Sequence, residues 1–234
     1  MLCGLSRLSP RSLIATAIFF TTALLTANLT DADHKNIPPC AGDIPCYTPV
    51  YPTSVELKFI ATATVLAGIT NSLLVPKTLR RSELSQTAFS YLAGLEFGLG
   101  LFISGMADPA KVLRFFAFPS DLARFDPSLA LIILFGIGPS LVTYLFTKPG
   151  QSLAGENRDE DGAAPVKPPT LAHQWRLPTA TVADIDWRFV TGAVAFGLAW
   201  GLRGVCPGPA VLRSVLQPAW GVVEMAGYML GNLL

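Results

Sequence analysis

The stretch Phe196-Gly197-Leu198-Ala199-Trp200-Gly201-Leu202-Arg203-Gly204-Val205-Cys206-Pro207-Gly208-Pro209-Ala210-Val211-Leu212-Arg213 decides how this chain is read. It is an apolar, Gly-rich helix pattern that stops at Gly204, crosses a Pro-containing break and restarts as a helix at Ala210. The same order occurs once more, earlier in the chain. Phe97-Gly98-Leu99 falls on Phe196-Gly197-Leu198, Gly105 on Gly204, and Val112-Leu113-Arg114 on Val211-Leu212-Arg213. Seven of eighteen aligned positions are identical without a gap. The first break reads Ser104-Gly105-Met106-Ala107-Asp108-Pro109 and the second Arg203-Gly204-Val205-Cys206-Pro207-Gly208-Pro209. Paired apolar segments interrupted by Gly and Pro in corresponding halves point to a transporter's binding site. Irregular backbone inside a bilayer is tolerated only where protein or a water-filled cavity satisfies its polar groups. The alternative is two ordinary interhelical turns at the membrane surface, where Gly and Pro are also common.

Composition supports a membrane setting for the repeat. Of 234 residues, 51% are apolar and 14% charged, against about 25% charged in typical soluble domains. Seventeen Lys and Arg against sixteen Asp and Glu leave a net charge of +1, which excludes a strongly basic nucleic-acid binder. Two His and four scattered Cys exclude a zinc-finger framework, whose ligands come in tight pairs. Six apolar segments qualify as candidate spans: Ser12 to Leu29, Val55 to Val75, Thr87 to Ile103, Pro127 to Phe146, Phe189 to Leu202 and Ala219 to Leu234. The fold class expected is an all-α, polytopic membrane protein.

The organisation expected is an N-terminal membrane remnant at 1–29 and a polar loop at 30–53. A membrane repeat at 54–146 follows, then a disordered polar linker at 147–187 and the second repeat at 188–234. The short basic loop Pro76 to Glu83, with Lys77, Arg80 and Arg81, faces the cytoplasm by the charge rule, and the 30–53 loop the other side. If that side is oxidising, Cys40 and Cys46 are placed for a disulfide; if it is cytosolic, they are free thiols. Asn28-Leu29-Thr30 is a formal glycosylation sequon at the membrane edge and is expected to be silent.

Chemistry concentrates at the breaks. Cys206 stands just before a helix start, near Arg203 and Arg213, either as a sulfur that meets a substrate or as a buried, inert thiol. Lys111, Arg114, Arg203 and Arg213 either set a positive potential on an anion path or anchor helix ends at the interface. Arg114 and Arg213, a turn or more past the breaks, fit the anchoring role better. Lys111 and Arg203 stay open to either. Glu96, and with less force Glu224, are ionisable groups inside apolar segments and so functional candidates. No phosphate-binding loop, zinc-protease helix or nucleophile elbow is present, and His34 and His173 both lie in polar loops, so an enzyme is not expected. No cofactor is called for.

Three ordered motifs resemble the YeeE/YedE (sulphur transport) family. Gly98 to Val112 resembles its Ser-Gly-Met-x-x-Pro-x-Lys-Val signature. Phe125-Asp126-Pro127-Ser128-Leu129-Ala130 resembles its Trp-Asp-Pro-Ser-Leu-Ala element. Gly197 to Ala210 resembles its Gly-Trp-Gly-Leu-x-Gly-x-Cys-Pro-Gly-Pro-Ala element. The resemblance implies transport of thiosulfate or a related sulfur oxyanion along a path lined by cysteines, with Cys206 as one of them. Met1-Leu2-Cys3-Gly4-Leu5-Ser6-Arg7 resembles the tail of a further family motif, making Cys3 the counterpart of a second path cysteine. The expectation that follows is an N-terminally truncated chain whose missing half a second chain supplies. Cys206 and Cys3 would then meet the terminal sulfur. The backbone at Gly105, Met106, Gly204 and Pro207 would face the ion, and Lys111 and Arg203 would attract it from farther away. The expected surroundings are the lipid bilayer and a small sulfur oxyanion, with no nucleic acid. The rival expectations are a non-transporting membrane subunit or sulfur-relay accessory, and an inert fragment.

Overall fold

The computed structural model describes residues 2–32, 35, 37–38, 40, 46, 48, 51–147, 169–172 and 177–233. Most of the 147–187 linker, both histidines and the side chain of Cys3 lie outside that set. Every regular element among the described residues is helical. In chain order these are α1 (Leu2–Leu5), α2 (Pro10–Thr30), α3 (Ser54–Ile69), α4 (Val75–Thr78), α5 (Glu83–Ile103), α6 (Pro109–Phe116), α7 (Gly138–Thr147), α8 (Trp187–Arg203), α9 (Pro207–Leu216) and α10 (Pro218–Leu233). The protein is an all-α, multi-pass membrane protein.

Three of the six apolar segments become single spans: Pro10–Thr30, Ser54–Thr78 and Pro127–Thr147. A fourth is the pair α8 and α9, bent by 47° at its break. α5 is long enough, but Glu83 and Glu96, with three glycines in its second half, dilute its apolarity, and α10 has only 16 residues. Two spans carry a π-helical turn, Thr70–Leu74 and Ile133–Ile137. Each ends two positions before a proline, Pro76 or Pro139. A proline ring displaces the carbonyl four residues back and leaves it without its N–H donor, and a widened turn absorbs that mismatch.

Polar side chains inside the spans bond locally. In α2 the hydroxyls of Thr16, Thr22, Thr26 and Thr30 each donate to the carbonyl four residues earlier, at 2.6–2.8 Å. That is the low-energy arrangement for a hydroxyl facing lipid or another helix. The helix starts are well capped. Thr53 and Glu56 form a reciprocal capping box on α3, while Ser82, Asp108 and Asp186 accept first-turn N–H groups of α5, α6 and α8.

The core lies where α2, α6 and α8 meet. α2 and α8 approach closely because Gly197 and Gly201 rest on the backbone of Phe19 and Ala23. A Cβ at either glycine would collide with a carbonyl of α2, so the pair is a small-residue membrane packing of the Gly-x-x-x-Gly kind. Short α6 is wedged against both helices. Its Val112, Leu113 and Phe116 are the largest fully buried side chains described, at 1–2% exposure. Phe116 packs edge-on against Trp200 at 4.9 Å, and Phe19, Phe20 and Phe196 complete an aromatic cluster around that indole. Asn28 of α2 closes the far end of α6. Its amide donates to the Phe116 carbonyl at 2.9 Å and to the Leu24 carbonyl at 2.8 Å, and its oxygen accepts from Ser120. The sequon asparagine is therefore committed inside the bundle.

Cys40 and Cys46 form a disulfide, with Cα atoms 5.6 Å apart. The loop is tied to the 117–126 segment through the Cys46 N–H to the Ala123 carbonyl, 2.9 Å, and the Arg124 guanidinium to the Ile37 carbonyl, 3.0 Å.

Candidate functional site

Each break is a left-handed glycine followed by a proline-led helix. α5 ends at Ser104, and Gly105 turns the chain with φ +68°. Lys111 folds back over this turn and donates to the Ser104 carbonyl at 2.9 Å. Its charge thus neutralises the carbonyl end of α5, where a cation is favoured. Asp108 starts α6 by accepting from the Ala110 N–H at 2.9 Å. In the second break α8 ends at Gly204, φ +66°, whose N–H donates to the Trp200 carbonyl at 2.8 Å. Cys206 occupies the N-cap position of α9 without capping it. Its sulfur instead accepts from the Trp200 indole N–H at 3.2 Å and packs beside the aromatic cluster.

The two breaks touch. A Cβ on Gly204 would lie 2.5 Å from the Pro109 carbonyl and 2.9 Å from the Leu113 side chain. The packing is crossed. α8 of the second repeat lies on α6 of the first, and α5 of the first lies on α9 of the second, with Gly208 against Phe97 and Gly98 against Leu212. The breaks thus pack on each other through Gly204 and Pro109, while Ser104, Asp108, Arg203 and Pro207 stay exposed.

A cavity of about 550 Å³ opens where they meet. Arg114, Arg203 and Arg213 line it together with Asp108 and Glu224, and Pro38, Val205 and Trp220 complete much of the wall. Arg213 pairs with Glu224 at 3.0 Å, and Arg114 donates to the Pro38 carbonyl at 3.4 Å. Arg203 makes no hydrogen bond or ion pair among the described residues. The backbone contributes little positive character. Pro109, Pro207 and Pro209 have no N–H, and the Ala110 N–H is taken by Asp108. Attraction for an anion therefore resides in the guanidinium groups.

Of the residues singled out in the sequence, Arg203 lines the cavity, and Gly204 packs on Pro109, which lines it too. Cys206 and Pro207 lie at the same break, with the thiol turned to Trp200. Gly105, Met106 and Lys111 form the first turn, and Lys111 is occupied by the end of α5. Cys3 belongs to α1, and its side chain lies outside the described residues. The cavity also takes in Arg114 and Arg213, which position had favoured as interfacial anchors, and Glu224, the weaker of the two carboxylate candidates, and it adds Asp108. The repeat itself carried the signal for the two arginines, because Arg114 and Arg213 occupy the same position in the two copies and both reach one cavity. Glu96 is elsewhere. It accepts from the Asn71 amide at 2.7 Å beside a second cavity, about 450 Å³ and largely apolar.

A family described as a family of unknown function, DUF6691, matches residues 86–231, a range that contains both breaks and the cavity arginines. A protein of Xylella fastidiosa strain 9a5c named "Probable transporter" is 39% identical over 119 residues, covering 51% of this chain and 68% of that protein. One of strain Temecula1 with the same name is 39% identical over 119 residues, covering 67% of its length. No solved structure matches the chain.

Proposed function

This chain belongs to the family of unknown function DUF6691, and from that premise we propose that it is a transporter subunit that carries a small sulfur oxyanion, thiosulfate first, across the membrane. One observation carries the reading: two proline-led helix breaks meet, Gly204 on Pro109, beside a cavity lined by three arginines. Discontinuous helices at a repeat interface are where transporters hold their substrates. The name "Probable transporter" on two relatives supports movement of a solute, and the motifs that resemble the YeeE/YedE family support a sulfur compound. In this reading Arg203 draws the anion to the break, and Cys206 meets its terminal sulfur, a soft partner for a thiol.

The test is radiolabelled thiosulfate uptake in cells lacking their own importers, with the chain alone and with a co-expressed longer relative. Saturable uptake above background in either setting is expected, and Cys206→Ala is expected to abolish it. Uptake by the wild type that Cys206→Ala leaves intact would remove the thiol from the path. No uptake in either setting, with the protein present in the membrane, would overturn the substrate class.

A further inference from the structure

Arg213 and Glu224 face each other across the α9–α10 hairpin, Nη1 to Oε1 at 3.0 Å, and both line the cavity. Their side chains are only 20% and 21% exposed, so solvent and salt screen them less than a surface pair. Glu224 uses one carboxylate oxygen there. Its Oε2 is buried and has no hydrogen-bond partner among the described residues, and the same is true of Arg114 Nε. The unpaired guanidinium N–H lacks an acceptor, whereas the unpaired carboxylate oxygen lacks a donor and leaves Glu224 incompletely held by Arg213. The remaining charges around the pair are Arg114 and Asp108 at the start of α6, and Arg203 at the end of α8. Asp108 is spent on its helix cap, and Arg203 has no partner. Three guanidinium groups therefore face two carboxylates, both of them already engaged.

A guanidinium fork donates to two oxygens of a carboxylate or of a tetrahedral oxyanion in nearly the same geometry. On Arg213 that fork donates from Nη1 to Glu224 Oε1 and from Nη2 to Gln217 Oε1 at 3.3 Å, so Glu224 holds with one oxygen part of the place that an oxyanion's oxygens would take. We propose that the cavity is the binding site for a small divalent oxyanion, held by Arg213 and Arg203, and that Glu224 is a resident counter-ion which the anion displaces from Arg213. Displacement keeps binding weak enough for release, which a transport path requires. This site rests on the transport reading for its substrate, but binding can be measured without transport.

The experiment uses the purified full chain in detergent and equilibrium binding of radiolabelled thiosulfate at fixed ionic strength, with sulfate as competitor. Saturable binding to the wild type is expected. Glu224→Gln is expected to tighten it about tenfold, since the competing charge is gone, and Arg203→Gln and Arg213→Gln each to weaken it about tenfold. A merely structural ion pair moves the other way, because Glu224→Gln would loosen the hairpin and leave affinity unchanged or lower. Either of those results, or no saturable binding of thiosulfate or sulfate to the wild type, overturns the proposal. If Arg213→Gln does not fold, Arg203→Gln decides, since that side chain supports nothing else in the fold, and wild-type affinity in it overturns the site. Binding without uptake keeps this site and sinks the transport reading. Uptake indifferent to all three variants does the reverse.

Discussion

Trp200 joins the core to the break. Its ring fills the space between Phe19, Phe20, Phe116 and Phe196, and its N–H reaches across the break to the Cys206 sulfur. Trp200→Phe keeps much of the ring and removes the donor. In a Cys3→Ser background, alkylation of Cys206 by a small maleimide is expected to slow several-fold, read by mass shift against time, because the reacting sulfur loses the N–H that donates to it while the ring still covers it. An unchanged or faster rate would mean that the indole N–H does not act on the thiol. Asn28 is the second residue whose role is polar closure inside an apolar bundle. Asn28→Leu leaves the Phe116 carbonyl without its donor, and the expected loss is on the order of 1 kcal/mol, read by thermal denaturation in detergent. The composition made Cys206 visible from sequence alone, because four cysteines in 234 residues draw attention to each. Its partner was not visible. Six residues separate Trp200 from Cys206, and only the turn at Gly204 brings the indole back over the thiol.

The close approach of α2 and α8 is decided by where glycine sits along α8. Gly197 and Gly201 lie in the contact, whereas Gly192 has nothing within 4 Å of a would-be Cβ. Gly197→Ala is expected to destabilise by about 1–3 kcal/mol, as overpacking does. Gly192→Ala on the same helix should stabilise by up to about 1 kcal/mol, because alanine is the better helix former. Melting temperatures of the two variants moving in the same direction would refute this account of the contact. The helices were legible from pattern, but their starts only roughly: the pattern puts the second restart at Ala210 and it lies at Pro207, and the span expected from Phe189 begins at Trp187 behind the Asp186 cap. The pairing of helices was not legible. Gly-rich faces occur on α5 as well as α8, and periodicity does not say which glycine face meets which neighbour.

At the scale of the whole molecule, the disulfide Cys40–Cys46 and the basic loop after α4 lie on opposite ends of the span Ser54–Thr78. Disulfides persist on the oxidising side of a membrane and basic loops on the cytoplasmic side, so the two signals agree. Reporter fusions after residue 50 and after residue 80 are expected to report opposite sides, the first non-cytoplasmic. Fusions on the same side would mean that Ser54–Thr78 does not cross. The sequence alone determined the membrane class, the helical content, the repeat and the two breaks. These follow from composition, from the 3.6-residue period and from Gly and Pro, all of which act over a few neighbouring residues. Only the tertiary structure decided what the breaks face. Crossed packing of the repeats made Arg114 and Arg213 walls of one cavity. The α9–α10 hairpin brought Glu224 to Arg213, and the turn at Gly105 tied Lys111 of α6 to the end of α5. A charged side chain a turn beyond a helix break can reach lipid headgroups or the interior. The choice between them is made by the helix that lands beside it, which no local pattern in the chain specifies.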